Sequence, residues 1–129
     1  MSIVWTNGCF DILHRGHIEM LQYAASLGHK LVVGIDSDSK VKRDKGTKRP
    51  IHCQEDRKFL LESLGCINKV IIFNSPEELS ENIRELQPRY LVVGGDWRGK
   101  KVVGSEHAGE VRFFDRIKGY STTAIIDKK

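Results

Sequence analysis

The sequence predicts an α/β fold, a doubly wound and mostly parallel sheet of about five strands with helices on both faces. Three observations carry that prediction. Short apolar runs alternate along the chain with amphipathic stretches of helical period. The runs are apolar at successive positions rather than at every second one, which suits strands buried on both sides. Internal repeats, low-complexity tracts and Pro/Gly-rich linkers are absent, so residues 1–129 are read as one domain.

Each element follows from local residues. Ile3 to Thr6 reads as the first strand, ending at Asn7-Gly8. Ile18, Leu21, Ala24, Ala25 and Leu27 recur at helical spacing, and Gly28 is expected to end that helix. Leu31-Val32-Val33-Gly34-Ile35 is the second strand. Gln54 to Leu64 reads as a helix with Phe59, Leu60, Leu61 and Leu64 facing inward, and Val70-Ile71-Ile72-Phe73 as the next strand. Ser75-Pro76-Glu77-Glu78 supplies an N-cap, a first-turn proline and early acids for a helix that runs to about Leu86 and stops before Pro88. Tyr90 to Val93 is a strand running into Gly94-Gly95-Asp96, Val111 to Phe114 is the fifth, and Ser121-Thr122-Thr123 caps a last short helix. In such sheets ligands sit beyond the carboxyl ends of the strands, where the strand order reverses. That directs attention to the two glycine-bearing exits, Asn7-Gly8 and Gly94-Gly95.

Composition narrows the function classes. Hydrophobic residues make up 40% of 129, enough for one core, and no run approaches the roughly 20 apolar residues of a spanning helix. Met1-Ser2-Ile3-Val4-Trp5 lacks a basic region followed by a long apolar run, so no secretory signal is expected and the expected address is the cytoplasm. Cys9, Cys53 and Cys66 form an odd set without a C-x-x-C pair and are read as reduced thiols. The net charge of +4 is mild but uneven: Lys40, Lys42, Arg43, Lys45, Lys48 and Arg49 crowd one short stretch. By composition that stretch is a nucleic-acid patch, a solvated loop or a polyphosphate clamp.

The richest segment is Thr6-Asn7-Gly8-Cys9-Phe10-Asp11-Ile12-Leu13-His14-Arg15-Gly16-His17. It places two imidazoles, three apart, just before a helix begins. A helix N-terminus favours phosphate through its unpaired N–H groups and positive potential. Imidazole donors there can bind phosphate oxygens and stabilise the charge that grows as a phosphoryl bond breaks. The plainer alternatives are histidines that cap the helix or line a core edge. A zinc site is a third, but no Cys or carboxylate has matching spacing.

With Gly8-Cys9-Phe10-Asp11, His14-Arg15-Gly16-His17 and Gly119-Tyr120-Ser121-Thr122-Thr123 in this order, the chain resembles the cytidylyltransferase-like nucleotidyltransferases, from Val4 to about Ile126. Two branches compete: glycerol-3-phosphate cytidylyltransferase and the adenylyltransferase domain that makes ADP-heptose, which is often fused to a sugar kinase. Asn7-Gly8-Cys9-Phe10-Asp11, Val41-Lys42-Arg43 followed by Lys45-Gly46 and Arg49-Pro50, and Gly104-Ser105-Glu106 look more like the heptose branch.

The resemblance implies a Rossmann-like domain that transfers a nucleoside monophosphate to a phosphorylated sugar or polyol and releases pyrophosphate, without a covalent intermediate. It implies that His14 and His17 contact the triphosphate, that a magnesium ion accompanies it without a dedicated protein metal site, and that two copies form a homodimer. Lys45, in the segment similar to the family's lysine loop, is the first candidate to reach the triphosphate, and Lys42 the second. By the same resemblance Gly8, Cys9, Phe10, Gly16, Gly94, Asp96, Arg116, Ser121 and Thr122 are nucleotide-binding candidates, and Asp11, Arg57 and Trp97 acceptor-binding ones. Bland roles stand beside these. Asp11 can brace its loop, Trp97 can pack on its own domain, and Ser121 can be an ordinary helix cap. His29, His52 and His107 are read as surface or loop residues. A non-catalytic nucleic-acid module is the competing class, but no aromatic platform is interleaved with the basic run. The expected partners are therefore small phosphorylated molecules, with neither nucleic acid nor membrane.

Overall fold

The computed structural model describes residues 2–115. Arg116, Ser121, Thr122 and the helix expected after Ser121 lie outside the described residues. Within them, strands β1 (Ile3–Gly8), β2 (Lys30–Asp36), β3 (Lys69–Phe73), β4 (Tyr90–Gly94) and β5 (Glu110–Phe114) form one sheet in the order β3-β2-β1-β4-β5. Every neighbouring pair is parallel. The helices are α1 (Arg15–Ser26), α2 (Asp38–Lys45), α3 (Gln54–Glu62) and α4 (Pro76–Leu86).

The apolar runs are buried on both faces, as parallel strands between helices require. On one face Val4, Leu31 and Val33 pack with Leu21 and Ala24 of α1 and Leu61 of α3. On the other, Trp5, Val32 and Leu91 pack with Leu79 and Ile83 of α4. Neighbouring residues thus serve opposite layers, the two-residue period of a strand.

The strand order reverses between β1 and β4, and the register shows how a crevice opens there. β1 pairs with β4 from Val4↔Tyr90 to Thr6↔Val92, whereas against β2 it continues through Asn7↔Gly34 to Gly8↔Ile35. Thr6 closes the fork, its buried hydroxyl donating to the Val92 carbonyl at 2.8 Å. Beyond it β1 and β4 part.

Four local expectations are corrected. Helix α1 begins at Arg15, three residues before Ile18, so His14 is its N-cap and His17 lies in its first turn. Gly28 does not end α1 in the left-handed conformation; the C-cap is Leu27, and a Cβ on Gly28 would stand 2.8 Å from Val4 Cγ2. The basic stretch is a helix, α2, over most of its length; Ser37 caps it by accepting from the Lys40 N–H at 3.1 Å, and Val41 alone of its residues is buried. Helix α3 ends at Glu62, short of Leu64; Leu61 faces the core and Leu64, beyond the helix, packs at its edge, but Phe59 is 69% exposed and Leu60 40%. The inward place beside Leu61 belongs to Arg57. Helix α4 has its expected cap, with Ser75 accepting from the Glu78 N–H, and its expected end.

Candidate functional site

The loop leaving β1 turns sharply at Phe10, whose φ of 51° lies in the left-handed region. A phenylalanine there is strained, and packing holds it: its ring is buried and meets the His17 ring at 5.1 Å. Next, Asp11 is buried and accepts from Arg49 Nε and from the Ile51 and His52 N–H groups, all at 2.9 Å. Burial pushes its carboxyl up, but the His52 and Ile51 N–H groups and the Arg49 guanidinium outweigh that and hold it below the usual range. Asp11 therefore ties the first loop to residues 49–52. The acceptor-binding role expected for it is corrected to this bracing one, since its side chain is closed to a ligand.

His14 and His17 cap one another. The Nδ1 of His14 accepts from the His17 main-chain N–H at 3.4 Å, and the Nδ1 of His17 accepts from the His14 N–H at 3.3 Å. The rings stack with centroids 3.8 Å apart at 20°, and both residues are half-buried. An Nδ1 that accepts a hydrogen bond leaves the ring proton of a neutral imidazole on Nε2. The cap thus assigns both rings the same tautomer, with Nδ1 of each turned to the helix start. The rings stack rather than face apart, and neither residue is sealed in the core.

Arg57 is also corrected. Its side chain is wholly buried and donates to the carbonyls of His52 at 3.0 Å, Cys9 at 2.9 Å and Asp36 at 2.8 Å, and to Asp38 Oδ1 at 2.9 Å. It does not reach an acceptor; it locks the ends of β1 and β2 to α2 and α3. Cys9 lies half-buried beside it, its thiol pushed up by burial despite the nearby charges of Lys45 and Arg57, so it sits as a thiol rather than a thiolate. Lys45, at the exposed end of α2, acts electrostatically on both Cys9 and Asp36, which puts its charge beside the crevice. Lys42 is exposed.

On the β4 side, Gly94 leads into a single turn of 3-10 helix, Gly95–Trp97. A Cβ on Gly94 would meet Asp96 Oδ1 at 2.7 Å, so the Asp96 carboxylate folds back over Gly94. Trp97 is 44% exposed and stands at the edge of a cavity of about 430 Å³ that Gly8 and Gly94 also line. Asp36 and Lys40 line the same cavity, and sequence reasoning passed over both. Their spacing of four residues, continued to Asp44, was the available sign. Arg49 was missed as a brace. His52 is a loop residue as expected, yet its Nδ1 is buried without a hydrogen-bond partner. Gly16, in the first turn of α1, is half-buried beside the histidines. Among the described residues no group of three or more His, Cys, Asp or Glu is arranged to hold a metal ion, and no helix is long and apolar enough to cross a membrane.

Comparison with known proteins agrees with this arrangement. A family model described as cytidylyltransferase-like matches residues 5–128. The chain is 53% identical over 128 residues to the bifunctional protein HldE of Nitratiruptor sp. and 52% identical over 127 residues to that of Helicobacter pylori. Each match takes in 98% of this chain, which spans 27% of the relative's length. Among solved structures, a lipopolysaccharide core biosynthesis protein from Thermoplasma volcanium superposes with a TM-score of 0.73 at 27% identity, covering 92% of this chain and 99% of the other. A protein from Archaeoglobus fulgidus shares the fold at a TM-score of 0.59 and 16% identity, over 92% of this chain and all of the other (100%). A match from residue 5 to residue 128, joined to relatives near half identity over almost the whole chain, establishes that it belongs to the cytidylyltransferase-like family of nucleotidyltransferases.

Proposed function

We propose that the chain transfers a nucleoside monophosphate from a nucleoside triphosphate to a phosphorylated sugar, with ATP and D-glycero-D-manno-heptose 1-phosphate as substrates and ADP-heptose and pyrophosphate as products. The observation that carries this reading is the reciprocal cap, which stacks two imidazoles of one tautomer at the N-terminus of α1. A phosphate oxygen of the acceptor attacks the α-phosphorus, the bond from that phosphorus to the β-bridging oxygen breaks, and pyrophosphate departs with the electron pair. His14 and His17 donate to the phosphoryl oxygens as charge moves onto them, in a site that needs no reorganisation at the moment of reaction. Lys45 offsets the repulsion between the two phosphate-bearing substrates.

A magnesium ion carried by the triphosphate belongs to the same proposal. The ion neutralises phosphate charge when bound. Sugar as the acceptor is supported by the similarity to a protein named for lipopolysaccharide core biosynthesis and by the HldE relatives. CTP with glycerol 3-phosphate, giving CDP-glycerol, is the second reading; it rests on the family's cytidylyltransferase members. Pairing as a cytoplasmic homodimer belongs to the same proposal, and sedimentation of the purified chain tests the pairing.

The deciding experiment is a pyrophosphate-release assay across the four nucleoside triphosphates and a panel of sugar and polyol phosphates. Turnover with ATP and heptose 1-phosphate above all other pairs is expected. Preference for CTP with glycerol 3-phosphate selects the second reading. Oligonucleotide binding without nucleotide turnover overturns both.

A further inference from the structure

We propose that the cavity lined by Asp36, Lys40 and Asp44 is the subsite that reads hydroxyl groups of the acceptor, with Asp36 as its specificity-determining residue. The inference rests on the transferase reading above and deepens it. The cavity lies across the carboxyl ends of β1 to β4, with Phe73, Leu79, Val93 and Val102 on its apolar side. Those four residues belong to the core layer of α4, the opposite side of the sheet from the Leu21 and Ala24 layer of α1. Gly8 and Gly94 line it where β1 and β4 part. Met20 of α1, the helix the histidines cap, lines it as well, so an occupant sits at the fork within reach of that helix.

Its charge pattern specifies the occupant. Lys40 Nζ lies 2.7 Å from Asp44 Oδ2 and 3.6 Å from Asp36 Oδ1. The ammonium is thus engaged by two carboxylates, and the three groups together carry a net negative charge when ionised. Such an end repels phosphate and attracts neutral donors. The Asp36 side chain is only 16% exposed, and its contact with Lys40 is too long for a good hydrogen bond. Burial pushes its carboxyl up, Lys40 offsetting part of the rise. A buried carboxylate with so much unused acceptor capacity gains most from a hydroxyl that donates to it. The apolar side and the half-exposed Trp97 ring suit the carbon skeleton of a sugar. At about 430 Å³ the cavity falls within the ordinary range for small-molecule sites and holds more than a three-carbon polyol fills.

The test measures binding of heptose 1-phosphate and of glycerol 3-phosphate to the full chain by calorimetry, with pyrophosphate release in parallel. The parent chain is expected to bind the heptose phosphate about tenfold or more tightly than the glycerol phosphate, and Asp36→Ala to lose that preference while the Michaelis constant for the triphosphate stays within about twofold. Asp44→Ala, at a half-exposed side chain, reads the same ratio should the first variant not fold. Turnover by the parent with an unchanged preference in the folded variants overturns the subsite and leaves the transferase reading intact. A parent chain that neither binds nor turns over any phosphorylated sugar overturns both.

Discussion

Individual side chains in this protein combine a structural contact with a chemical task. His14 and His17 each turn Nδ1 to the helix cap, and that contact fixes the tautomer of rings proposed to meet phosphate. Arg57 spends its whole guanidinium on the scaffold. Arg57→Met strands three carbonyls and Asp38, so a loss of about 3–5 kcal/mol is expected in urea unfolding. A loss below about 1 kcal/mol would show that the buried guanidinium does not hold the strand ends. Lys45 is the contrasting case, exposed and away from the core. Lys45→Ala should raise the Michaelis constant for the triphosphate and leave the melting temperature near the parent's. No change in either that constant or the rate would transfer the role to Lys42.

Among the elements, the braced segment 49–52 couples the basic helix to the histidine loop through Asp11. Because the folded Asp11 carboxyl is held below its unfolded value of about 3.9, its contribution is complete above that value and is lost as pH falls through the lower folded one. Asp11→Asn should therefore lower stability at neutral pH and flatten the acid limb. Urea midpoints at pH 7 and pH 3 check this, and parallel acid limbs in parent and variant would contradict it. Elements whose causes are local were readable from sequence: Ser75-Pro76 starts α4 because cap and proline act within one turn. Helix α2 was not legible as a helix because Val41 is its one buried residue, leaving no apolar stripe; the cap at Ser37 was the overlooked cue. In α3, Arg57 displaced Phe59 from the core because distant carbonyls satisfy the guanidinium, and a pattern of apolar residues carries no record of those acceptors.

At the scale of the whole molecule, the parallel order β3-β2-β1-β4-β5 generates one fork, where β1 leaves β4 after Thr6↔Val92. The Asp36 cavity opens at that fork, lined by Gly8 and Gly94. The sheet, its two glycine exits and the histidine pair were legible because apolar runs and a contiguous motif encode them. Asp36 and Lys40 were not, because their pairing and their place at the cavity exist only once β2, α2 and β3 have packed.

The central claim is that the paired imidazoles stabilise phosphoryl transfer, and pyrophosphate release by the parent chain and by His17→Ala, with ATP and heptose 1-phosphate, tests it most directly. Turnover is expected to fall about 100-fold or more in a variant that keeps its far-ultraviolet spectrum and loses only about 1 kcal/mol with the cap. Near-normal turnover in that folded variant would contradict the account.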